Sequence, residues 1–321
     1  MSDVDSLITT TGLELWYKYE SGVSANGVCR DYSGHARHLA QVTDPPTLTA
    51  NVINGRHGWV FDGTDNPLTY GGGGVPTLKN IFIIAGFADA AFPVAYSAII
   101  DQLSGVDGTT QFYDYGFGGD FAYRKNNVDF AAANQQAPMN GEVALLEISS
   151  TSGFTFGGTV GSHAGAPTQK WKGPFVEMIA YSRVLSASEK QNLAEYIAIQ
   201  FRLWRKTSAG LNIFPFQPNW GQPLSESKRV LSSSAVSGAY KARSKSTQKK
   251  GIQPSFESRI AEEYDTAVAF NDEHYPGSTF IWKDDGFSPA RETEMRFLSD
   301  VQMTRSENFN DKDYNFQAVE V

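Results

Sequence analysis

Between residues 171 and 204 the pattern of apolar and polar positions is most regular, and it changes from a strand pattern to a helix pattern. Phe175 to Tyr181 is an apolar run that holds a single acid, Glu177. It follows the breaker pair Gly173-Pro174 and contains several residues of high β-propensity. A short apolar run of this kind predicts a buried strand that begins behind the Gly-Pro pair.

A helix is predicted immediately after this strand. Ser186 stands three residues before Glu189, a spacing at which the hydroxyl accepts a free backbone N–H and the carboxylate reaches back. Large apolar residues then recur at helical spacing, namely Leu193, Tyr196, Ile197, Phe201 and Trp204. One stripe of the helix is therefore apolar and must pack against another element. Because this strand and helix follow many strand-like segments, we expect a domain to end near Arg205.

The residues before this strand and helix form many short segments with strand character, separated by Gly, Asp, Asn and Pro. The segments are 13–17, 60–61, 81–87, 97–101, 110–115, 120–123, 142–149 and 154–157. Strands and helices do not alternate, which disfavours an α/β nucleotide-binding fold. Short strands at roughly even spacing predict an antiparallel β-sandwich over residues 1–205.

The composition changes after Trp204. Residues 206–212 predict a linker, and the prolines of residues 213–220 fix an extended apolar segment. Further on, the pattern predicts strands at 254–260, 278–282, 294–301 and 313–321, and one helix at 262–273. We therefore expect a mainly β protein, in which an N-terminal sandwich (jelly roll) precedes a smaller α+β domain at residues 213–321.

Composition and charge narrow the classes of function. The chain has 321 residues, of which 40% are hydrophobic and 19% charged, a globular composition with length enough for two domains. The net charge of −8 disfavours general nucleic-acid binding, which needs a surplus of Lys and Arg. A single cysteine, Cys29, excludes an internal disulfide. The sequence has no secretory signal and no apolar run long enough to span a bilayer, so we expect a soluble protein made in a cytoplasm.

The charges of the C-terminal third are unevenly distributed. Residues 228–250 hold seven Lys or Arg and no acid, whereas residues 251–321 hold 15 Asp or Glu against six Lys or Arg. One interpretation of the basic stretch is an arm that binds RNA. Because the domain as a whole is acidic, contact between this stretch and an acidic surface of a neighbouring copy is the favoured interpretation.

The acids do not form the pattern that is typical of a glycoside hydrolase. Such an enzyme needs two carboxylates that face one sugar bond, often at alternate positions of a strand. Glu142 and Glu147 are five residues apart and would lie on opposite faces of a regular strand, and Glu177 stands alone. No GxSxG motif of a serine hydrolase is present. His35 and His38 lack neighbouring Cys or carboxylate residues in a metal-ligand pattern, so a solvated loop is favoured there over a metal site.

Two groups of residues are candidates for binding. Tyr113, Asp114 and Tyr115 could stack on a sugar ring and accept its hydroxyls, but the two tyrosines share one face of a strand, which also fits a place in the core. Asp62 and Asp65 could supply oxygens to Ca²⁺, but carboxylates in turns more often bond to their own backbone. No other cofactor is indicated.

Three parts of the N-terminal domain carry a resemblance. They are residues 12–20 with the DYSGHARHLAQ loop at 31–41, residues 58–70 with an FDG strand, and residues 171–201, where a final strand turns through RVLS into a helix. This combination resembles the laminin-G-like or concanavalin-A-like jelly-roll superfamily. The resemblance implies a fold that binds carbohydrate or protein through its loops, sometimes with calcium, and less often a glycosidase.

The C-terminal domain carries a second resemblance. An extended FPFQPNWGQPLSES segment, a basic hairpin, a strand, the helix AEEYDTAVAFNDEHYPG, the strand STFIWKDD and two closing strands follow one another. This order resembles the minor tail proteins of siphophages, of the lambda minor tail protein M and distal-tail kind, and Phe280-Ile281-Trp282 matches their FxW strand. The resemblance implies a ring, generally a hexamer, that joins the tail tube to the tail tip.

These observations predict a structural protein and not an enzyme. We expect a phage tail component, located in the virion tail, whose C-terminal domain assembles with copies of itself and with other tail-tube and tail-tip proteins. The jelly roll would be exposed for a host surface glycan or a protein. The alternative is a carbohydrate-active hydrolase or lectin with an accessory domain. Neither membrane contact nor sequence-specific nucleic-acid binding is expected.

Overall fold

The computed structural model describes residues 3–19, 28–41, 43–64, 67–72, 76–86, 98–100, 112–113, 121–129, 143–163, 166–209, 211–216, 225–227, 230–234, 240–244, 249–252, 255–275, 277–284, 291–297, 299–304 and 311–321. The chain divides into two compact units: Ser6–Leu203 (the N-terminal unit), and Trp204–Val321 with the first residues of the chain (the C-terminal unit). The predicted fold class, a mainly β protein with an antiparallel sandwich and a smaller α+β part, is confirmed.

The strands described in the N-terminal unit are β1 (Leu13–Lys18), β2 (Val28–Asp31), β3 (Leu39–Ala40), β4 (Thr47–Ile53), β5 (Arg56–Asp62), β6 (Leu68–Thr69), β7 (Thr77–Ala85), β8 (Ala98–Ile100), β9 (Phe112–Tyr113), β10 (Phe121–Lys125), β11 (Val128–Asp129), β12 (Ala144–Thr155), β13 (Thr159–Val160), β14 (Ser162–His163), β15 (Ala166–Lys170) and β16 (Lys172–Tyr181). A 3₁₀ helix at Asp3–Leu7 precedes them. The hydrogen-bonded order is β11-β10-β12-β7-β16-β1-β2-β3-β6-β13-β8-β9, with β4 and β5 attached to β16 and the β14–β15 pair separate.

This path of strands turns over at β2, so its two halves enclose one core. Ile83 and Phe175 come from one half and Leu68 and Val160 from the other, and all four belong to the same buried apolar cluster. Successive side chains of a regular strand point to opposite faces, and pairs such as Leu15 and Tyr17 or Trp59 and Phe61 contribute alternate residues to this core. The result is a two-layered antiparallel sandwich.

The predicted strand and helix at the end of the unit lie at the centre of this fold. Strand β16 pairs with β7 on one side and with β1 on the other, and its residues are buried on both faces. One face points into the sandwich core, and helix α1 (Ala187–Phe201) covers the other, where the Tyr196 and Trp16 ring centroids lie 6.1 Å apart. Burial of both faces explains why residues 175–181 are almost continuously apolar.

Helix α1 begins as predicted. Ser186 is the N-cap and forms the complete capping box with Glu189. The helix ends at Arg202, which adopts the left-handed conformation with φ 52°, so Trp204 lies beyond the helix and not on its predicted apolar stripe. Gln200 O, at the last turn, accepts hydrogen bonds from Asn54 Nδ2 at 3.1 Å and Arg56 Nε at 3.2 Å. The β4–β5 hairpin therefore satisfies a carbonyl that the helix leaves unpaired.

Two strands of the N-terminal unit extend beyond their predicted bounds. β16 includes the Gly173-Pro174 pair, because Gly173 adopts φ 143° and Pro174 lies opposite Val60 in the pairing with β5. β12 joins the segments predicted at 142–149 and 154–157 into one strand, and its pairing with β7 shifts register between Ser149 and Phe154. An irregularity of this kind lets a strand continue through residues that look like a turn in the sequence.

The strands described in the C-terminal unit are β17 (Ser225–Ser227), β18 (Val230–Ser234), β19 (Tyr240–Ser244), β20 (Lys249–Ile252), β21 (Ser255–Ile260), β22 (Phe280–Asp284), β23 (Arg291–Phe297), β24 (Gln302–Thr304), β25 (Asp311–Asn315) and β26 (Ala318–Glu320). They form a sheet β17-β20-β26-β23-β22, a sheet β21-β25-β24 and the pair β18-β19. Helix α2 (Ala261–His274) follows β21. Neither helix of the described residues is long and apolar enough to cross a membrane.

Part of the predicted linker forms a short hairpin. Thr207 N donates to Leu211 O at 2.9 Å, and Ile213 N donates to Arg205 O at 2.8 Å. The chain then runs parallel to β22, where Phe214 N donates to Ile281 O at 3.0 Å. The small polar residues at 206–212 suggested a linker in the sequence, whereas their backbone joins the C-terminal unit.

The predicted closing strand at 313–321 consists of two strands that belong to different sheets. β25 pairs with β21 and β24, whereas β26 pairs with β23 and β20. Phe316 lies between them and is fully buried. The chain therefore crosses between the two sheets at a residue that anchors the core, and alternation of polar residues on both sides hid this crossing in the sequence.

Candidate functional site

The residues predicted to bind a sugar lie mostly outside the described part of the chain. Tyr113 ends β9, where its backbone pairs with Ala98, and its side chain is not described. Asp114 and Tyr115 lie outside the described residues. The choice between a sugar-binding surface and a place in the core therefore stays a prediction.

The predicted calcium ligand Asp62 is used by its own turn. It ends β5, and its Oδ1 accepts hydrogen bonds from Thr64 N at 2.5 Å and from Thr64 Oγ1 at 2.7 Å. This is the backbone-bonded alternative that the sequence left open. Asp65 lies outside the described residues. In the described ranges, no three His, Cys, Asp or Glu residues come together as a metal site.

The loop between β2 and β3 is held by one buried carboxylate. Asp31 Oδ1 accepts from Trp16 N at 3.0 Å and Ser33 N at 2.9 Å, and its Oδ2 accepts from Ser33 Oγ at 2.8 Å and Arg37 N at 3.0 Å. Asp31 N donates to His38 Nδ1 at 3.0 Å. The Asp-x-Ser-Gly motif is therefore a structural clamp between the loop and β1.

The acids that were considered for catalysis are used inside the fold. Glu177 is buried below α1, where its Oε1 accepts from Trp16 Nε1 and from Tyr196 OH, both at 2.7 Å. Glu147 lies 2.6 Å from Lys190 Nζ. A buried carboxylate needs such donors because its charge loses water on folding. Glu142 lies outside the described residues.

Several ionisable groups of the N-terminal unit have shifted pKa values. Burial, with the charges of Glu177 and Asp31, raises the pKa of the Cys29 thiol well above its ordinary value, so the thiol is held in its unreactive protonated form. Burial also raises the pKa of Tyr17. At the start of α1, the guanidinium of Arg183 and then the backbone of Ser186 hold the pKa of Glu189 well below its usual range. Each shift has a structural cause inside the unit.

Aromatic rings from all parts of the C-terminal unit pack into one cluster. The Phe214 ring centroid lies 5.3 Å from that of Phe270 and 5.5 Å from that of Trp282. Phe280 lies 5.6 Å from Phe270 and 4.4 Å from Phe297. The cluster thus joins the extended segment, helix α2 and two strands, so these rings decide how the elements of the unit pack.

A polar group at the end of α2 fixes the chain that enters the unit. Glu273 Oε2 accepts from Trp204 Nε1 at 2.5 Å, and its Oε1 accepts from Asn212 Nδ2 at 3.1 Å. The same Nδ2 lies 3.2 Å from His274 Nε2, and His274 Nδ1 lies 2.6 Å from Phe270 O. A carbonyl can only accept, so His274 Nδ1 donates to Phe270 O, and an amide Nδ2 can only donate, so Nε2 accepts from Asn212. This group positions residues 204–212 and leaves no ring nitrogen for chemistry.

The basic stretch forms a hairpin. β17 pairs with β20 from Ser225↔Gly251 to Ser227↔Lys249, and β18 pairs with β19 from Val230↔Ser244 to Ser234↔Tyr240. Along the chain, the second pair lies between the two strands of the first, and the first pair is joined to the five-stranded sheet through β20 and β26. Among the described strands, β18 and β19 pair only with each other. We name residues 228–250 the basic arm.

Helix α2 carries the opposite charge. It contains five acids and no Lys or Arg. Glu262, Asp265 and Asp272 are exposed and lie on one side of the helix, which packs its other side through Ala267 and Phe270. None of these three carboxylates forms an ion pair with a described residue. We name Glu262, Asp265 and Asp272 the acidic stripe.

The sequence carries a signal for this stripe that is not a motif but a spacing of acids along the helix. The sequence pattern predicts this helix, and its acids contribute to the negative charge of residues 251–321. Placing the sequence AEEYDTAVAFNDEH on a helix puts the three exposed acids on one side, because residues three or four apart are neighbours there.

No family model, curated protein or solved structure matches the chain.

Proposed function

We propose that the chain is a structural component of a phage tail, in which the C-terminal unit assembles with copies of itself at the tail tip and the N-terminal unit is exposed. The observation that carries this proposal is the aromatic cluster. Phe214 of the FPF segment, Phe270 of the helix, and Phe280 and Trp282 of the FIW strand pack against one another. The resemblance to siphophage minor tail proteins thus rests on residues that build the core.

The use of the acids supports a structural role. Glu177, Glu147 and Asp31 are three carboxylates that a hydrolase could have used, and each is taken up by donors of its own unit. A glycoside hydrolase needs two carboxylates that face a substrate, whereas these three carboxylates are held by contacts inside the unit. The described part of the chain therefore favours assembly over catalysis.

The separation of charge supports self-assembly. The basic arm and the acidic stripe belong to the same unit. The basic arm of one copy can therefore bind the acidic stripe of a second copy, while its own stripe binds the arm of a third. A contact between two different surfaces of identical copies is heterologous, and it closes into a ring when the rotation per copy fits. A ring is what the resemblance implies.

The mass and symmetry of the purified full-length protein test the proposal. We expect light scattering to give a multiple of the 35.2 kDa chain and electron microscopy to show closed rings, with six copies implied by the resemblance. A protein that stays monomeric at tens of micromolar in low salt contradicts the proposal. Release of reducing sugar from a bacterial polysaccharide by that monomer would favour the hydrolase.

The proposed glycan-binding role of the N-terminal unit needs its own experiment. The full-length protein is applied to a glycan array with and without Ca²⁺, beside the variants Tyr113→Ala and Asp114→Ala. We expect binding that both variants weaken, because stacking and hydroxyl acceptance would both be lost. Absence of binding in both conditions would remove the glycan and leave a protein neighbour as the partner.

A further inference from the structure

We infer that the basic arm of one copy docks on the acidic stripe of α2 in the next copy, and that this contact is the joint of the assembly. The inference rests on the proposed function, because it names the surfaces through which the C-terminal unit would assemble. It adds a direction to the assembly, since each copy donates an arm and receives an arm at a different surface.

In the described part of the chain, the strands of the arm form a two-stranded pair, which a further partner would stabilise. A two-stranded hairpin is only marginally stable in water, and three strands or a packed neighbour are needed for independent stability. β18 and β19 pair only with each other among the described strands. The two strands pair from Val230↔Ser244 to Ser234↔Tyr240. On their outer edges, the backbone N–H and C=O groups have no paired strand among the described residues.

The charge of the arm selects the chemistry of that partner. Lys241 and Arg243 are two residues apart on β19, so their positions share one face of the hairpin, opposite Ser233 and Leu231. Residues 228–250 contain no acid that could neutralise them. A surface of carboxylates therefore complements the arm, and charge complementarity of this kind sets orientation and excludes wrong partners.

The acidic stripe meets this requirement on the same chain. Glu262, Asp265 and Asp272 are exposed along a helix that has no Lys or Arg. The two partner surfaces are thus present in every copy in equal number. This equality favours a second copy over a nucleic acid as the partner, because a phosphate backbone would be repelled by the 15 acids of residues 251–321.

Charge reversal on each surface tests the inference in the full-length protein. Lys241→Glu with Arg243→Glu reverses the arm, and Asp265→Lys with Asp272→Lys reverses the stripe without changing Glu262 at the helix start. Like charges that face each other across an interface cost several kcal/mol, so each double variant is expected to raise the concentration at half-assembly at least ~10-fold. Sedimentation velocity measures that concentration, and circular dichroism verifies that each variant is folded.

Mixing the two reversed proteins separates a contact between copies from one within a copy. In the mixture, the acidic arm of one protein meets the basic stripe of the other, and the remaining wild-type surfaces also match. We therefore expect an equimolar mixture to assemble near the wild-type concentration although each protein alone does not. A contact within one copy would be broken in both proteins, and mixing could not restore it.

The matched controls are Arg296→Glu and Asp300→Lys, which reverse exposed charges of the C-terminal unit outside the two surfaces. They are expected to assemble within about twofold of wild type, as surface substitutions away from an interface do. Raising NaCl from about 0.1 M to 1 M shortens the screening length from about 10 Å to about 3 Å and should weaken wild-type assembly.

Four results would overturn the inference. If both reversed variants assemble as well as the wild-type protein, the proposed function stands, but the contact between arm and stripe is contradicted. Failure of the mixture to recover assembly would assign the arm to its own copy. Unchanged assembly of the arm variant, together with its loss of retention by double-stranded DNA, would make the arm a nucleic-acid contact. Monomeric wild-type protein contradicts both proposals.

Discussion

The two units treat their charges in opposite ways. In the N-terminal unit, Glu147 lies 2.6 Å from Lys190, and Arg37 lies 3.1 Å from Glu14. In the C-terminal unit, the basic arm and the acidic stripe carry opposite charges on separate segments, and the stripe has no ion pair with a described residue. Charges that are paired inside a unit are not available to a partner, whereas carboxylates without an ion pair, such as those of the acidic stripe, are.

The cores differ in a related way. The N-terminal unit encloses a large mixed cluster of aliphatic and aromatic residues between two halves of one folded sheet. The C-terminal unit depends on a few rings, among which Phe270 contacts Trp204, Phe214, Phe280 and Phe297. We therefore expect a single substitution to have its largest effect on stability in the C-terminal unit.

Phe270→Ala is the strongest test of this difference. Phe270 is fully buried, and removal of such a ring costs about 3–5 kcal/mol of unfolding free energy. Urea unfolding followed by tryptophan fluorescence should show an early transition of the C-terminal unit. Tyr275→Ala, at an exposed position of 41% accessibility directly after α2, is the control and should change stability by less than about 0.5 kcal/mol.

Cys29 allows the N-terminal unit to be followed separately. It is the only cysteine of the chain, it is fully buried in the sandwich core, and its thiol has a raised pKa. A thiol reagent should therefore label it only when the N-terminal unit opens. Phe270→Ala is expected to leave the labelling rate at the wild-type value, and accelerated labelling would contradict the separation of the two cores.

Tyr196→Phe tests the buried polar group of the N-terminal unit. The substitution removes one of the two donors to Glu177 Oε1 while keeping the ring that packs against Trp16. Loss of a hydrogen bond to a buried carboxylate costs about 1.5–3 kcal/mol, so Cys29 labelling should accelerate in proportion. Tyr19→Phe, whose ring stacks on His57, is the control, and its labelling should stay close to wild type.

The elements that were predicted correctly have strong local signals. Ser186 and Glu189 fix the start of α1 through contacts within four residues, and the apolar run at 175–181 has no alternative to burial. Short-range chemistry of this kind does not depend on the rest of the fold. The β-rich class followed from the same local patterns.

The features that the sequence did not reveal depend on long-range pairing. Pro174 lies within β16 only because β5 pairs with that end of the strand, and Phe316 separates two strands only because two sheets meet there. The pairing of the basic arm and the ion pairs of Glu147 likewise join residues that are distant in the sequence. No local propensity encodes such partners.

Ser186→Ala tests the local signal at the start of α1. The Ser186 side chain accepts the backbone N–H of Glu189, and loss of an N-cap of this type costs about 1 kcal/mol. Urea unfolding should show this decrease in the transition that Cys29 labelling reports. Asn192→Ala changes an exposed residue of the same helix that does not cap it, and a decrease of equal size there would contradict the assignment of the cap.

The smallest expected effect concerns the dependence of stability on pH. Arg183, and then Ser186, hold the pKa of Glu189 well below its usual range. A lowered folded-state pKa stabilises the fold above the unfolded value of about 4.3, and this contribution is lost as the pH falls through the folded-state pKa. Glu189→Gln keeps a capping side chain but no charge, so its unfolding free energy should fall less steeply than that of wild type between about pH 5 and pH 2. Asp44→Asn, at an exposed turn, should keep the wild-type slope. Equal slopes for wild type and Glu189→Gln would mean that this exposed ion pair adds nothing to the self-contained charge balance of the N-terminal unit.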